Sequence, residues 1–216
     1  MSRIQENYKF ILNNINRVCS QLGRDPAEVT LVAVSKGESA DSVRELYNAG
    51  HRDFGESRLQ EFLQKVEELP SDIRWHFIGR IQSNKFERIL GYFSVIHSIS
   101  EPNQVARIAR RTGIYEAFIQ VNAAQEAQKA GISCEALDAL YQNVLTCKNI
   151  RARGLMTIGP VVENPEDARP LFRNVRELSK KLQGCTQLSF GMSNDYEVAL
   201  QEGATHLRIG SALFSR

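Results

Sequence analysis

Lys36 follows directly on an apolar run, in the segment TLVAVSKGES at residues 30–39. The run is typical of a buried strand, and lysine is among the side chains that tolerate burial least. Two interpretations stay open at this point: the strand has ended and the side chain reaches solvent, or the amine serves chemistry. A desolvated lysine amine is a nucleophile that forms a Schiff base with a carbonyl compound.

Two segments near the end of the sequence, SFGMSND and LRIGSALF, pass from a β-rich run into a glycine followed by a hydroxyl residue. Gly191 and Gly210 let a backbone approach a ligand closely, and Ser193 and Ser211 add hydroxyl donors. Glycines that merely turn the chain are the alternative. Together with a lysine, a phosphate site predicts a phosphorylated aldehyde as the ligand, and pyridoxal 5′-phosphate is the obvious candidate.

Arg208 lies in the run that leads into the second of these segments. A guanidinium is charged at all ordinary pH values. Placed at the pyridine nitrogen of the cofactor, it would keep that nitrogen unprotonated and make the ring a poorer electron sink. This argues against a mechanism of the transaminase type.

Eight short β-rich runs alternate with segments of helical periodicity, which predicts parallel strands joined by crossover helices. Eight such units are the count of a closed (β/α)₈ TIM barrel. An open doubly wound sheet is the rival, but the sequence lacks the G-x-G-x-x-G fingerprint expected after its first strand. The runs are TLVAVSK, RDFGES, RWHFIG, FSVIHSI, AFIQVN, IRARGLMTIG, QLSFGM and HLRIGSA.

Residues 4–22 form an apolar stripe with helical spacing, which Gly23 and Pro26 end. Few residues follow the eighth strand, so the barrel lacks a full closing helix. We expect the N-terminal helix to fill that gap in the outer ring. Residues 1–216 show no linker and are interpreted as a single domain.

In such a barrel the active site collects at the carboxyl ends of the strands. Six of the eight ends carry polar groups, although a histidine beside Trp75 is more often a core-edge residue and Asn122 is also typical of a cap. His76 and Tyr196 are named as candidates for the second proton-transfer group of a racemase, without geometric support. The ends are Lys36, Glu56, His76, Ile99, Asn122, Met156, Ser193 and Arg208 with Gly210.

Bulk composition excludes several classes of function. The net charge is +2, so nothing calls for nucleic acid or a membrane surface, and the basic run RIARR is interpreted as a solvated helix face. The four cysteines and four histidines lack metal-ligand or disulfide spacing. No signal core or membrane span is present, which predicts a cytoplasmic protein. GRIQSNK lacks the second glycine of a P-loop, and GMSND is not G-x-S-x-G.

The motifs VAVSK, FGES, WHFIGRIQSNK, RGLMTIG, SFGMSND and RIGSALF together resemble the YggS/PROSC family of pyridoxal phosphate homeostasis proteins. The resemblance implies a barrel like the N-terminal domain of alanine racemase, with pyridoxal phosphate held as a Schiff base on Lys36. It further implies phosphate binding around Ser193, Gly210 and Ser211, with Arg208 at the pyridine nitrogen. With the strand-end residues Asn122 and Met156, these make up the predicted cofactor site.

The sequence departs from the family pattern at three positions. Ser57 and Arg58 stand where FGEN followed by an aromatic residue is usual, and Gly37 replaces a frequent threonine. The resemblance implies a monomer that takes part in intracellular vitamin B6 and amino-acid homeostasis without established catalysis, with apoenzymes that use pyridoxal phosphate as candidate recipients. A racemase or decarboxylase on the same cofactor, a Schiff-base aldolase that uses Lys36 alone, and a barrel serving only protein contacts are the alternatives.

Overall fold

A computed structural model describes residues 2–124 and 130–215. Eight parallel strands close into a barrel in which each strand pairs with its neighbours in sequence order. The predicted TIM barrel is therefore confirmed, and each of the eight β-rich runs overlaps one strand. The strands are β1 (Thr30–Val34), β2 (Asp53–Glu56), β3 (Arg74–Phe77), β4 (Val95–Ile99), β5 (Tyr115–Gln120), β6 (Ile150–Met156), β7 (Gln187–Ser189) and β8 (His206–Ile209).

Helices separate the strands and surround the barrel. Pro170 lies in the first turn of its helix, where a missing N–H costs no hydrogen bond, so it marks the helix start rather than a break. The helices are α1 (Arg3–Gln21), α2 (Ala40–Asn48), α3 (Leu59–Leu63), α4 (Phe86–Leu90), α5 (Pro102–Ala109), α6 (Leu137–Thr146), α7 (Arg169–Lys180), α8 (Tyr196–Gln201) and α9 (Ser211–Phe214).

The N-terminal helix α1 completes the outer ring, as predicted. It begins with a capping box at Ser2 and buries its apolar stripe, including Ile11, Ile15 and Val18. It packs against α2, α8 and α9, because α9 is too short to cover the seam between β8 and β1. An ion pair of 2.7 Å between Arg17 and Glu197 joins α1 to α8.

Pairing of β1 with β8 closes the barrel. Ala33 is in register with Ile209, so the chain leaves both strands side by side at the same end of the barrel.

The four cysteines are all free thiols. Within the described ranges, every helix is too short or too polar to span a membrane.

We expect removal of buried bulk from α1 to destabilise the whole barrel. Ile15 is 3% exposed, so Ile15→Ala should lower the free energy of unfolding by about 2–5 kcal/mol. Phe10 on the same helix is 65% exposed, and Phe10→Ala should change that free energy by less than about 0.5 kcal/mol. Urea unfolding measures both. Equal effects of the two variants would show that α1 is not part of the cooperative core.

Candidate functional site

The chain turns sharply where β1 ends. Ser35 is buried and donates its backbone N–H to the Gly55 carbonyl on β2 at 3.0 Å, while Lys36, the next residue, is exposed. Gly37 adopts φ +78°, a conformation that β-branched residues adopt only under strain. Glycine in place of the family's threonine therefore has a local structural reason in this turn.

A second lysine, Lys65, forms hydrogen bonds with the backbone of this turn. Its Nζ donates to the Ser35 carbonyl at 2.6 Å and to the Glu38 carbonyl at 3.2 Å, on either side of Lys36. The same ammonium pairs with Glu56 at 2.7 Å, and both side chains are nearly inaccessible to solvent. Sequence reasoning missed Lys65, because a lysine in a polar helical segment ordinarily faces water.

Glu56 ends β2 as expected, but it lies inside the protein rather than in the barrel mouth. Its carboxylate accepts a hydrogen bond of 2.7 Å from Ser35 Oγ in addition to the Lys65 ion pair. Burial raises the pKa of Glu56, and Lys65 and Ser35 oppose that rise. Glu56 therefore supplies the negative charge that pairs with buried Lys65, the lysine that contacts the Lys36 turn.

The loops that follow β7 and β8 lie against each other. Ser193 Oγ in the first loop accepts a hydrogen bond of 3.1 Å from the backbone N–H of Ala212 in the second. Gly210 is packed closely on β1, since an added Cβ would lie 3.2 Å from the Val34 carbonyl oxygen. Ser211 follows and is exposed. Residues Ser193, Gly210 and Ser211 thus sit together, next to the strand that leads to Lys36.

Arg208 is 5% exposed and points into the barrel. Its Nη1 donates to the carbonyl and hydroxyl oxygens of Ser189 at 2.7 and 2.6 Å, and its Nη2 donates to the Thr157 carbonyl at 2.9 Å. Ser189 ends β7 and Thr157 follows β6, so the guanidinium lies at the carboxyl ends of these strands. Burial lowers the pKa of Arg208 to about 10, which leaves it charged at neutral pH.

Met156 ends β6, and Asn122 lies two residues beyond the end of the neighbouring strand β5. Asn122 is partly buried and its backbone N–H donates to the Ile132 carbonyl at 2.9 Å. Met156 is fully buried and packs with Val95 and Phe118 in the barrel interior.

The structure places the two further proton-transfer candidates away from the barrel mouth. His76 lies one residue before the end of β3 and is buried, with its ring nitrogens facing Asp53 and His97. The hydroxyl of Tyr196 lies 2.9 Å from Asn14 on α1, in the outer ring of helices. The sequence does not show which face of a strand or helix each of these side chains takes, so it could not place them.

The mouth is flanked by the loops after β2 and β3. Arg58 is largely exposed and pairs with Glu61 at 2.6 Å, and Ser57 lies against Gly79, where an added Cβ would collide with the Ser57 carbonyl at 2.1 Å. The departures from the family pattern at Arg58 and Ser57 therefore concern a surface ion pair and a tight loop contact.

Comparison with known proteins agrees with this architecture. The family model of the alanine racemase N-terminal domain matches residues 7–216. The chain is 41% identical to the pyridoxal phosphate homeostasis protein of Aquifex aeolicus, over 97% of this chain and 96% of that protein. It is 43% identical to the protein of the same name from Pseudomonas aeruginosa, over 99% and 96% of the two chains.

Among solved structures, PipY of Synechococcus elongatus with pyridoxal phosphate bound is similar at a TM-score of 0.77 and 32% identity. The similarity covers 94% of this chain and all of PipY. The form of PipY without the cofactor is similar at a TM-score of 0.82 and 34% identity, over 93% and 99% of the two chains. On these matches and its eight-stranded barrel, the chain belongs to the pyridoxal phosphate homeostasis protein family, within the wider alanine racemase N-terminal domain family.

Proposed function

We propose that the chain binds pyridoxal 5′-phosphate as a Schiff base on Lys36 and takes part in intracellular vitamin B6 and amino-acid homeostasis. The observation that carries the proposal is the meeting of three features at one end of the barrel. These are the Lys36 turn, the buried guanidinium of Arg208, and the paired loops that hold Ser193 and Ser211. PipY, which has pyridoxal phosphate bound, is a related structure of the same fold.

The residues present fit this cofactor. Its aldehyde requires an amine, which Lys36 offers. Its phosphate requires hydrogen-bond donors, which the hydroxyls of Ser193 and Ser211 and the backbone around Gly210 offer. Its pyridine nitrogen requires a partner in the barrel, and Arg208 is a charged donor there. When bound, the cofactor supplies a reactive aldehyde. The chain's own residues orient it and bury its ring.

Asn122 and Met156 extend the proposed site along β5 and β6. Met156, fully buried with Val95 and Phe118, would support the cofactor ring as packing beneath it, and Asn122 offers a polar group just beyond β5. Together with Lys36, Ser193, Arg208, Gly210 and Ser211 they are the residues we propose to hold the cofactor.

We propose a carrier and regulator rather than a catalyst. A racemase needs proton donors and acceptors on opposite faces of its substrate. Lys36 could serve one face, and His76 and Tyr196 are the candidates for the other. Their hydrogen-bond partners lie away from the proposed site: Asp53 and His97 for His76, and Asn14 for Tyr196. We further propose that the protein acts in the cytoplasm as a monomer and passes the cofactor to apoenzymes that use it.

Lys36→Ala should abolish the visible absorbance that appears when the protein is mixed with pyridoxal phosphate. The reason is that only an amine at this position forms the Schiff base. Borohydride reduction followed by peptide mapping should place the cofactor's mass on the peptide containing Lys36 in the wild-type protein. Lys180→Ala, on the outer face of α7, is the matched control and should label normally. Normal labelling of Lys36→Ala would refute the assignment.

The hydroxyls of Ser193 and Ser211 should discriminate between cofactor forms with and without phosphate. A double Ser193→Ala, Ser211→Ala variant should bind pyridoxal 5′-phosphate about tenfold or more weakly, because it loses hydrogen bonds to a charged group. Its affinity for pyridoxal, which lacks the phosphate, should change little. Absorbance titrations measure both. Equal losses for the two compounds would place the phosphate elsewhere.

Loss of Lys65 should destabilise the turn that carries Lys36. Lys65→Met leaves Glu56 charged and buried without its partner, which should lower the free energy of unfolding by about 3–5 kcal/mol. A double variant with Glu56→Gln removes both charges and should recover part of that loss. The exposed Lys180, paired with Glu177 on the surface, provides the control Lys180→Met, which should leave urea unfolding nearly unchanged. A double variant no more stable than Lys65→Met would contradict the pairing argument.

A further inference from the structure

A continuous row of hydrogen bonds crosses the interior of the barrel. It begins at Asp53, the first residue of β2, whose Oδ1 lies 2.9 Å from His76 Nε2. His76 Nδ1 lies 2.9 Å from His97 Nε2, and His97 Nδ1 lies 2.8 Å from Ser189 Oγ. Ser189 Oγ in turn lies 2.6 Å from Nη1 of Arg208. The row therefore runs from the amino end of the barrel to the proposed cofactor site.

The carboxylate at one end of the row and the neutrality of both rings determine the direction of every bond in it. A guanidinium can only donate and a carboxylate can only accept. Arg208 therefore donates to Ser189, and Nε2 of His76 donates to Asp53. A neutral imidazole carries one proton, so Nδ1 of His76 accepts from Nε2 of His97. Nδ1 of His97 then accepts from the hydroxyl of Ser189, and both rings carry their proton on Nε2.

The surroundings of the row agree with neutral imidazoles. His76, His97 and Ser189 are buried, and burial lowers the pKa of His76 and takes that of His97 well below its usual value. The cations Arg74 and Arg208 act on His97 in the same direction. Burial would raise the pKa of Asp53, but the His76 hydrogen bond and nearby positive charge hold it below its usual value.

The direction of the row also determines whether the Ser189 hydroxyl presents a lone pair or its proton to Arg208. Because the hydroxyl proton of Ser189 is directed to His97, its lone pairs remain turned toward the guanidinium. Three of the five N–H donors of Arg208 go to Ser189 Oγ and to the carbonyls of Ser189 and Thr157. All three acceptors are uncharged oxygens. The orientation of the guanidinium therefore depends on the two carbonyls and the hydroxyl keeping their lone pairs directed toward it.

We infer that His97, oriented by His76 and Asp53, is a positioning residue that aims the Arg208 guanidinium at the pyridine nitrogen of bound pyridoxal phosphate. The inference rests on the proposed function for the identity of that ligand. Its structural part, the direction of the hydrogen bonds, concerns the protein alone and can be measured without cofactor.

Nitrogen-15 NMR of the protein without added cofactor tests the direction of the row. With four histidines in the chain, single His→Phe variants assign the signals. Both His76 and His97 should be neutral at pH 7, with a protonated Nε2 and an unprotonated Nδ1. A proton on Nδ1 of either ring, or an imidazolium at pH 7, would overturn the inference.

Two isosteric substitutions at His97 separate its two hydrogen bonds. His97→Asn keeps an acceptor oxygen near the position of Nδ1, facing Ser189, and loses the donor to His76. His97→Gln keeps a donor near the position of Nε2 and loses the acceptor for Ser189. His97→Phe loses both, and its ring can retain the stacking on Phe118 that His97 makes at 4.4 Å.

Absorbance titration with pyridoxal phosphate provides the comparison. His97→Phe and His97→Gln should bind the cofactor about tenfold more weakly, as the loss of one buried hydrogen bond predicts, and should shift the visible maximum. His97→Asn should bind within about twofold of wild type, with an unshifted maximum. His206→Phe is the control, because this buried histidine packs near the row without belonging to it, and should behave as wild type.

Equal losses in His97→Asn and His97→Gln, or an equal loss in His206→Phe, would reduce the role of His97 to packing and overturn the inference. If His97→Phe fails to fold, the Asn and Gln variants and the NMR measurement still test whether His97 positions Arg208. A wild-type protein that shows no absorbance band with pyridoxal phosphate refutes the proposed function instead. A wild-type band that persists unshifted and with unchanged affinity in His97→Gln refutes only the inference.

Discussion

The parallel pairing of β1 with β8 is the contact on which the candidate site depends. Strand β1 brings Lys36 to the end of the barrel, and β8 brings Arg208, Gly210 and Ser211 to the same end. These residues are far apart in sequence and meet only because the sheet closes. Because Gly210 has no side chain, its loop can pack closely on the Val34 carbonyl. Helix α1 protects this seam from outside, so the first helix of the chain supports a site built from its last strands.

The barrel interior holds several buried polar side chains, and their need for partners explains how they are arranged. A buried polar group without a partner costs free energy comparable to a lost hydrogen bond or more. Arg208, His97 and His76 therefore each find partners inside the barrel, in a row that ends on the partly exposed Asp53. Burial would otherwise favour losing the charge of Arg208. Oxygens at the ends of β6 and β7 stabilise it at the place where a ligand's ring nitrogen is proposed to lie.

The exposed Lys36 and the buried Lys65 illustrate a division of labour between two amines. A reactive amine must be accessible to its carbonyl partner, and its position must also be reproducible. Lys65 gives up access to solvent and braces the backbone on both sides of Lys36, with Glu56 as its counter-charge. The turn is thus held by an ion pair that lies behind it, and the Lys36 side chain itself stays exposed.

The amino-acid sequence was enough to predict the eight strands and the N-terminal helix, because hydrophobic periodicity and short motifs are local properties of the chain. It did not reveal Lys65, whose partner Ser35 is 30 residues away, or the contact of His97 with Ser189, 92 residues away. It could not place His76 or Tyr196, because the face that a strand or helix residue presents depends on register and packing. Only closure of the barrel decided which polar groups share an interior, since burial and hydrogen bonding are properties of the assembled fold.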